Sequence, residues 1–245
     1  RSIYAARAGV ELPANIKLSA NFFQSADETG SLSTDPKSSD FRGPTLVPQK
    51  NTGMGLNLTW RPAASFTLLG DYQKNDFYAD TSKPKASDTA RRVELRWERR
   101  LFKIKTYMQR TGPKFVSFGA PTVIGDRETY DVSLGLFPAA WYTLSLSGNQ
   151  YTDNLANDPQ KLTTTQRTIN AANAFQFPTG TGLTLSGSLN TAKGKPATVL
   201  DNQTTTVGLG FNQAIKGHSV MLAVQAVQFR DKNRLAHDLD TQVAS

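Results

Sequence analysis

No cysteine occurs among the 245 residues, so disulfides and thiolate metal sites are excluded. Histidine is scarce. His218 and His237 are the only two, and neither has a second histidine or a carboxylate at metal-ligand spacing. His218-Ser219 does not begin a hydrolase triad, because neighbouring strand residues point to opposite faces. GxSxG, phosphate-loop and dinucleotide fingerprints are missing. The loop carboxylates Asp76, Asp80, Asp88, Asp153, Asp158, Asp231, Asp238 and Asp240 follow no EF-hand spacing, and Asp is an ordinary turn residue. The expectation is a protein that is not an enzyme and holds neither metal nor cofactor.

Long apolar runs are also lacking. No stretch approaches the roughly 18 apolar residues of a membrane helix, and mean hydropathy is negative. Strands stay open as membrane-crossing elements, because a barrel strand shows lipid only at every second residue. No signal peptide is visible and the chain starts at Arg1, which reads as a mature or partial chain. The net charge is +8, yet no helix-turn-helix, zinc finger or aromatic-basic RNA motif accompanies it. Much of the excess lies between Arg91 and Lys114, alternating with apolar residues. Nucleic acid is therefore not an expected partner.

What the chain does have is a repeated pair of alternating runs, each pair joined by a tight turn. The turns read as Leu12-Pro13-Ala14, Arg61-Pro62-Ala63, Arg99-Arg100-Leu101, Phe137-Pro138-Ala139, Phe177-Pro178-Thr179 and Ala214-Ile215-Lys216. Longer connections rich in Asp, Asn, Lys, Ser and Pro follow each second run. Twelve strands are expected, over about 3–11, 15–25, 51–61, 64–76, 89–99, 102–111, 127–137, 141–152, 163–177, 182–191, 203–213 and 218–230, with ends good to about two to four residues. The Ala-rich centre of the ninth run, Asn170-Ala171-Ala172-Asn173-Ala174, also permits a helix. Residues Asp240 to Ser245 could begin a thirteenth strand.

Alternation assigns each strand two faces. One face carries Leu56, Leu58, Leu134, Leu136, Leu144, Leu146, Leu183, Leu185, Val207 and Leu209. The other carries Asn57, Ser133, Ser145, Ser186 and Gly208. This second face is small and hydroxyl-rich, unlike the Lys and Glu of a typical water-facing sheet. Trp60, Trp97 and Phe211 fall on the apolar side beside short turns, and Tyr72 and Tyr130 on that side near the long connections. Aromatic girdles of a membrane barrel take that arrangement.

Short turn, long loop, small polar face and aromatic strand ends together resemble outer-membrane β-barrel proteins, over the whole chain. The resemblance implies an all-β fold: an antiparallel up-and-down transmembrane β-barrel of about 12 strands, or a contiguous segment of a larger barrel. Residues 1–231 would form six hairpins, and 232–245 a loop or the start of a further strand. It implies a bacterial outer-membrane location. Membrane lipid is one partner, with other envelope proteins or a further part of the same barrel as others. The function expected is a passive channel for small polar or anionic solutes, or a structural barrel of an envelope assembly. The alternative is a secreted or surface β-protein that binds a partner through its long loops, with its apolar face buried on another sheet or subunit.

The hairpin Arg91 to Arg110 holds the candidate site. Val93, Leu95 and Trp97 make one face; Arg92, Glu94, Arg96 and Glu98 make the other. The returning strand adds Lys103 and Lys105 to the charged side. A tight turn brings Glu98 opposite Lys103, a favourable pair, and Arg96 opposite Lys105, a like-charge pair. Two readings stand side by side: a basic ladder lining a pore and attracting anions, or a salt-bridged interior that stiffens a filled barrel.

Overall fold

A computed structural model describes residues 2–27, 48–81, 84–116, 124–215 and 217–244. The strands are β1 (Ser2–Leu12), β2 (Ile16–Ala26), β3 (Lys50–Ala63), β4 (Phe66–Tyr78), β5 (Ala86–Arg99), β6 (Phe102–Thr111), β7 (Arg127–Ala139), β8 (Tyr142–Asp153), β9 (Thr163–Gln176), β10 (Thr181–Lys195), β11 (Asp201–Ile215), β12 (His218–Asp231) and β13 (Leu239–Ala244). They form one 13-stranded sheet in strict sequence order. No helix occurs among the described residues. The ninth run is strand, not helix: Asn170 pairs with Ser147 on one side and Ser188 on the other. Tertiary pairing overrides the local preference of its alanines. A thirteenth strand does form, as β13 pairs with the outer half of β12.

The chain divides into two compact units, Arg1–Val93 with Gln109–Arg127, and Glu94–Met108 with Glu128–Ser245. Within the first, the register runs Ala8, Ala20, Leu56, Tyr72 across β1 to β4. Within the second, Leu144, Asn173, Leu185, Leu209 and Val224 form one cross-strand row. The next residues, Ser145, Ala172, Ser186, Gly208 and Gln225, form the neighbouring row on the other face. Apart from β9, which puts Asn173 in the first row and Ala172 in the second, these strands contribute apolar residues to one side and small or polar residues to the other.

Two tight turns sit later than the proline positions suggest. β3 runs through Pro62 to Ala63, and β7 through Pro138 to Ala139. Proline cannot donate to a ladder, and at Pro62 the pairing with β4 shifts register between Trp60 and Ala63, the bulge that accommodates it. The expected turn at Lys216 lies outside the described residues.

The β1–β2 connection turns on Ala14 and Asn15, both left-handed, with φ 61° and 58°. Asparagine tolerates this region, but alanine carries a Cβ that crowds the backbone there. Ala14→Gly should therefore stabilise the sheet by about 1 kcal/mol, read as a higher urea midpoint with unchanged slope.

Candidate functional site

The two faces differ in what they bury. The largest fully buried side chains are Glu94, Asn51, Asn75 and Thr111, all polar. Phe115 is the one buried large apolar residue among those described. Meanwhile Leu56 is 60% exposed, Val207 52% and Leu185 47%. Trp60, Trp97, Phe211, Tyr72 and Tyr130 are likewise exposed. This is the reverse of a water-soluble domain, where buried positions are mostly apolar.

The hairpin β5–β6 gathers part of the charged ladder. Glu94 is only 2% exposed and accepts a hydrogen bond from Arg96 Nε at 2.5 Å. Lys105 Nζ lies 3.8 Å from the same Oε1. The expected like-charge pair Arg96 and Lys105 is thus bridged by a shared carboxylate two residues along the strand, an arrangement that satisfies a buried charge with two cations. Both cations remain 46% exposed. Lys103 lies over the Phe137 ring at 5.9 Å, a cation–π distance. Glu98 is exposed. In the other unit, Arg92 Nη1 donates to Gln109 Oε1 at 3.5 Å.

A second group on the polar face was not legible in the sequence. Past β6, the chain turns at Gly112 and runs to Val116 over β3 and β4. Asn51 Nδ2 on β3 donates to Val116 O at 3.0 Å, and Asn75 Nδ2 on β4 donates to the same oxygen. Asn75 Nδ2 also reaches Asn51 Oδ1 at 3.2 Å. Asp88 accepts from Thr89 N at 2.7 Å and Lys114 N at 2.8 Å. Its carboxylate fills the space a Cβ on residue 112 would need, so a larger residue there would displace it from Thr89 N and Lys114 N. Gly112 O in turn accepts from Phe115 N and Asp126 N. The segment 112–116 is therefore pinned over the polar face of β3 and β4. Two in-phase asparagines, with Gly53 and Gly55 close by on the same face, are the only sequence signal for it.

The loop carboxylates are used locally. Asp231 accepts from Asn233 N at 3.0 Å and Ala236 N at 2.7 Å, and Arg230 pairs with Asp238 and Asp240. Asp153 accepts from Thr164 N, and Asp158 from Gln160 N. Asp76 and Lys85 lie 2.6 Å apart, and the carboxylate's hydrogen bond holds the Lys85 ammonium above the ordinary lysine range. The loops after β8 and β12 share a device. Asn154 and Arg234 are left-handed, at φ 54° and 57°, and each precedes a Leu-Ala pair. Among the described residues no three His, Asp or Glu side chains converge as a metal site. His218 starts β12 and His237 lies in the β12–β13 loop, both exposed.

No family model matches the chain, and no curated protein matches it in sequence. The geometry alone carries the functional reading.

Glu94→Gln should cost about 1–2 kcal/mol of stability, less than the about 3–5 kcal/mol of a fully buried pair because Arg96 and Lys105 keep contact with water. Glu98→Gln should stay within about 0.5 kcal/mol. Chemical unfolding of the two variants separates a buried hub from an exposed neighbour. Equal effects would remove Glu94 from that role.

Proposed function

We propose that this chain forms an outer-membrane β-barrel acting as a passive channel for small polar or anionic solutes. One observation carries the reading: the largest fully buried side chains are polar, while many large apolar side chains are exposed. In water such a sheet gains little from apolar burial, while ordering each residue costs about 1–2 kcal/mol. In lipid the balance reverses. The apolar face is solvated by acyl chains, and backbone groups must be paired, which a closed sheet achieves.

Strand-end aromatics support the same placement. Trp60 meets Phe66 and Trp97 meets Phe102 edge-on, at 6.4 and 4.9 Å. Near the β7–β8 and β9–β10 turns, Trp141, Tyr142, Phe175 and Phe177 stack in near-parallel planes. All lie beside short turns, where an interfacial belt belongs. The anion preference would follow from Arg96, Lys103 and Lys105 on the charged side of the hairpin, against Glu94 and Glu98. Segment 112–116 narrows whatever space that face encloses in its own unit.

In planar bilayers the protein should give ohmic steps with anion preference. Arg96→Gln with Lys105→Gln should lower that preference, and the change should shrink at high salt as charges are screened. Leu144→Arg should block membrane assembly, at a cost of about 2–4 kcal/mol near mid-bilayer, whereas Ser145→Arg should assemble. A protein that stays monomeric and folded without detergent, or that inserts but never conducts, would overturn the channel reading.

A further inference from the structure

On the apolar face of the unit Arg1–Val93 with Gln109–Arg127 runs a groove of about 750 Å³. Small side chains make its floor. Ala8 pairs with Ala20, and Gly70 ends the neighbouring row Val10, Leu18, Leu58, Gly70. Leu56, Leu58 and Tyr72 form its walls. Beyond Tyr72, toward the long-loop end, the apolar side changes character. Arg91 lines the groove and Lys74 lines its continuation past Phe22 and Met54. Arg110 has the strand phase of Met108, and Lys50 pairs with Tyr78, which places both on this side. Lys74, Arg91 and Arg110 are exposed. Among this unit's described strand residues, the carboxylate on that side is Asp76, taken by Lys85 at 2.6 Å.

Cations on a lipid-facing surface cost least near the interface, and there they meet phosphate. An apolar trough lined by one cation, with a second along its continuation, matches an amphiphile: an acyl chain for the trough and an anionic head for the cations. We propose that this groove seats one phosphate-bearing membrane lipid, its chain against Ala8, Ala20 and Gly70 and its phosphate held by Lys74 and Arg91. Arginine can take phosphate oxygens bidentately, while lysine acts as a point charge. The inference rests on the membrane reading above and names a lipid partner for it.

The protein is reconstituted in discs of phosphatidylcholine with a minor share of phosphatidylglycerol, released into mild detergent and weighed intact. Wild type should retain one phosphatidylglycerol in preference to phosphatidylcholine, and millimolar inorganic phosphate should not displace it. Lys74→Gln with Arg91→Gln should cut retention about tenfold. Lys74→Gln alone, a mild exposed change, should cut it by less. Lys161→Gln, in the β8–β9 loop, should leave it unchanged. Ala20→Phe should fill the trough and lower retention of both lipids. Wild type that enters discs with no preference for phosphatidylglycerol, or a double variant that retains it as wild type does, overturns the lipid seat while leaving the membrane reading intact. Wild type that never enters discs overturns both.

Discussion

Successive residues of a strand point to opposite faces, and in this sheet that alternation decides which solvent each face can meet. The polar face needs hydrogen-bond partners wherever it is buried, because an unmatched buried polar group costs about 1–3 kcal/mol. The apolar face needs a medium that does not reject it. Both demands hold along the described strands, since a one-residue slip would exchange the faces. The continuous rows from Leu144 to Val224 and from Ala8 to Tyr72 show that no strand slips relative to its paired neighbours in these regions.

The polar face meets its demand by networks rather than by packing. Asn21 Nδ2 donates to Asn57, and Asn57 Nδ2 to Asp71. Tyr151 donates to Gln166, and Gln166 to Asn190. Glu94 with two cations, and Asn51 and Asn75 with Val116, are the places where such networks are buried deepest. A buried network is stabilising only when its members are satisfied; segment 112–116 supplies Val116 O to both asparagines, while Asn75 Oδ1 stays buried without a hydrogen-bond partner among the described residues. The same two cations that neutralise Glu94 stay half exposed.

Most of the fold was legible because strand period and connection length are local properties. All twelve expected strands appear, and apolar and small polar residues alternate along most of them, with Asn173 of β9 in the apolar row as an exception. What escaped the sequence was nonlocal. Val116 meets partners 65 and 41 residues away, and no pattern near residue 116 announces them. The choice of Glu94 over Glu98 as the ion hub depends on side-chain geometry between strands, where straight and diagonal partners are nearly equivalent in sequence. Pro62 and Pro138 misled for a different reason. Proline is a turn residue by habit, but β7 continues through Pro138 and a register shift lets β3 continue through Pro62.

The central claim is that the apolar face meets lipid and the polar face meets water, and a cysteine-free chain allows a direct test. Single cysteines placed in turn from Thr143 to Gly148, spin-labelled in bilayers, report access to oxygen, which prefers lipid, and to a water-soluble nickel complex. The account predicts a two-residue alternation, with labels at positions 144 and 146 relaxed by oxygen and labels at 145 and 147 by nickel. Uniform access along the strand, or the opposite phase, would contradict it.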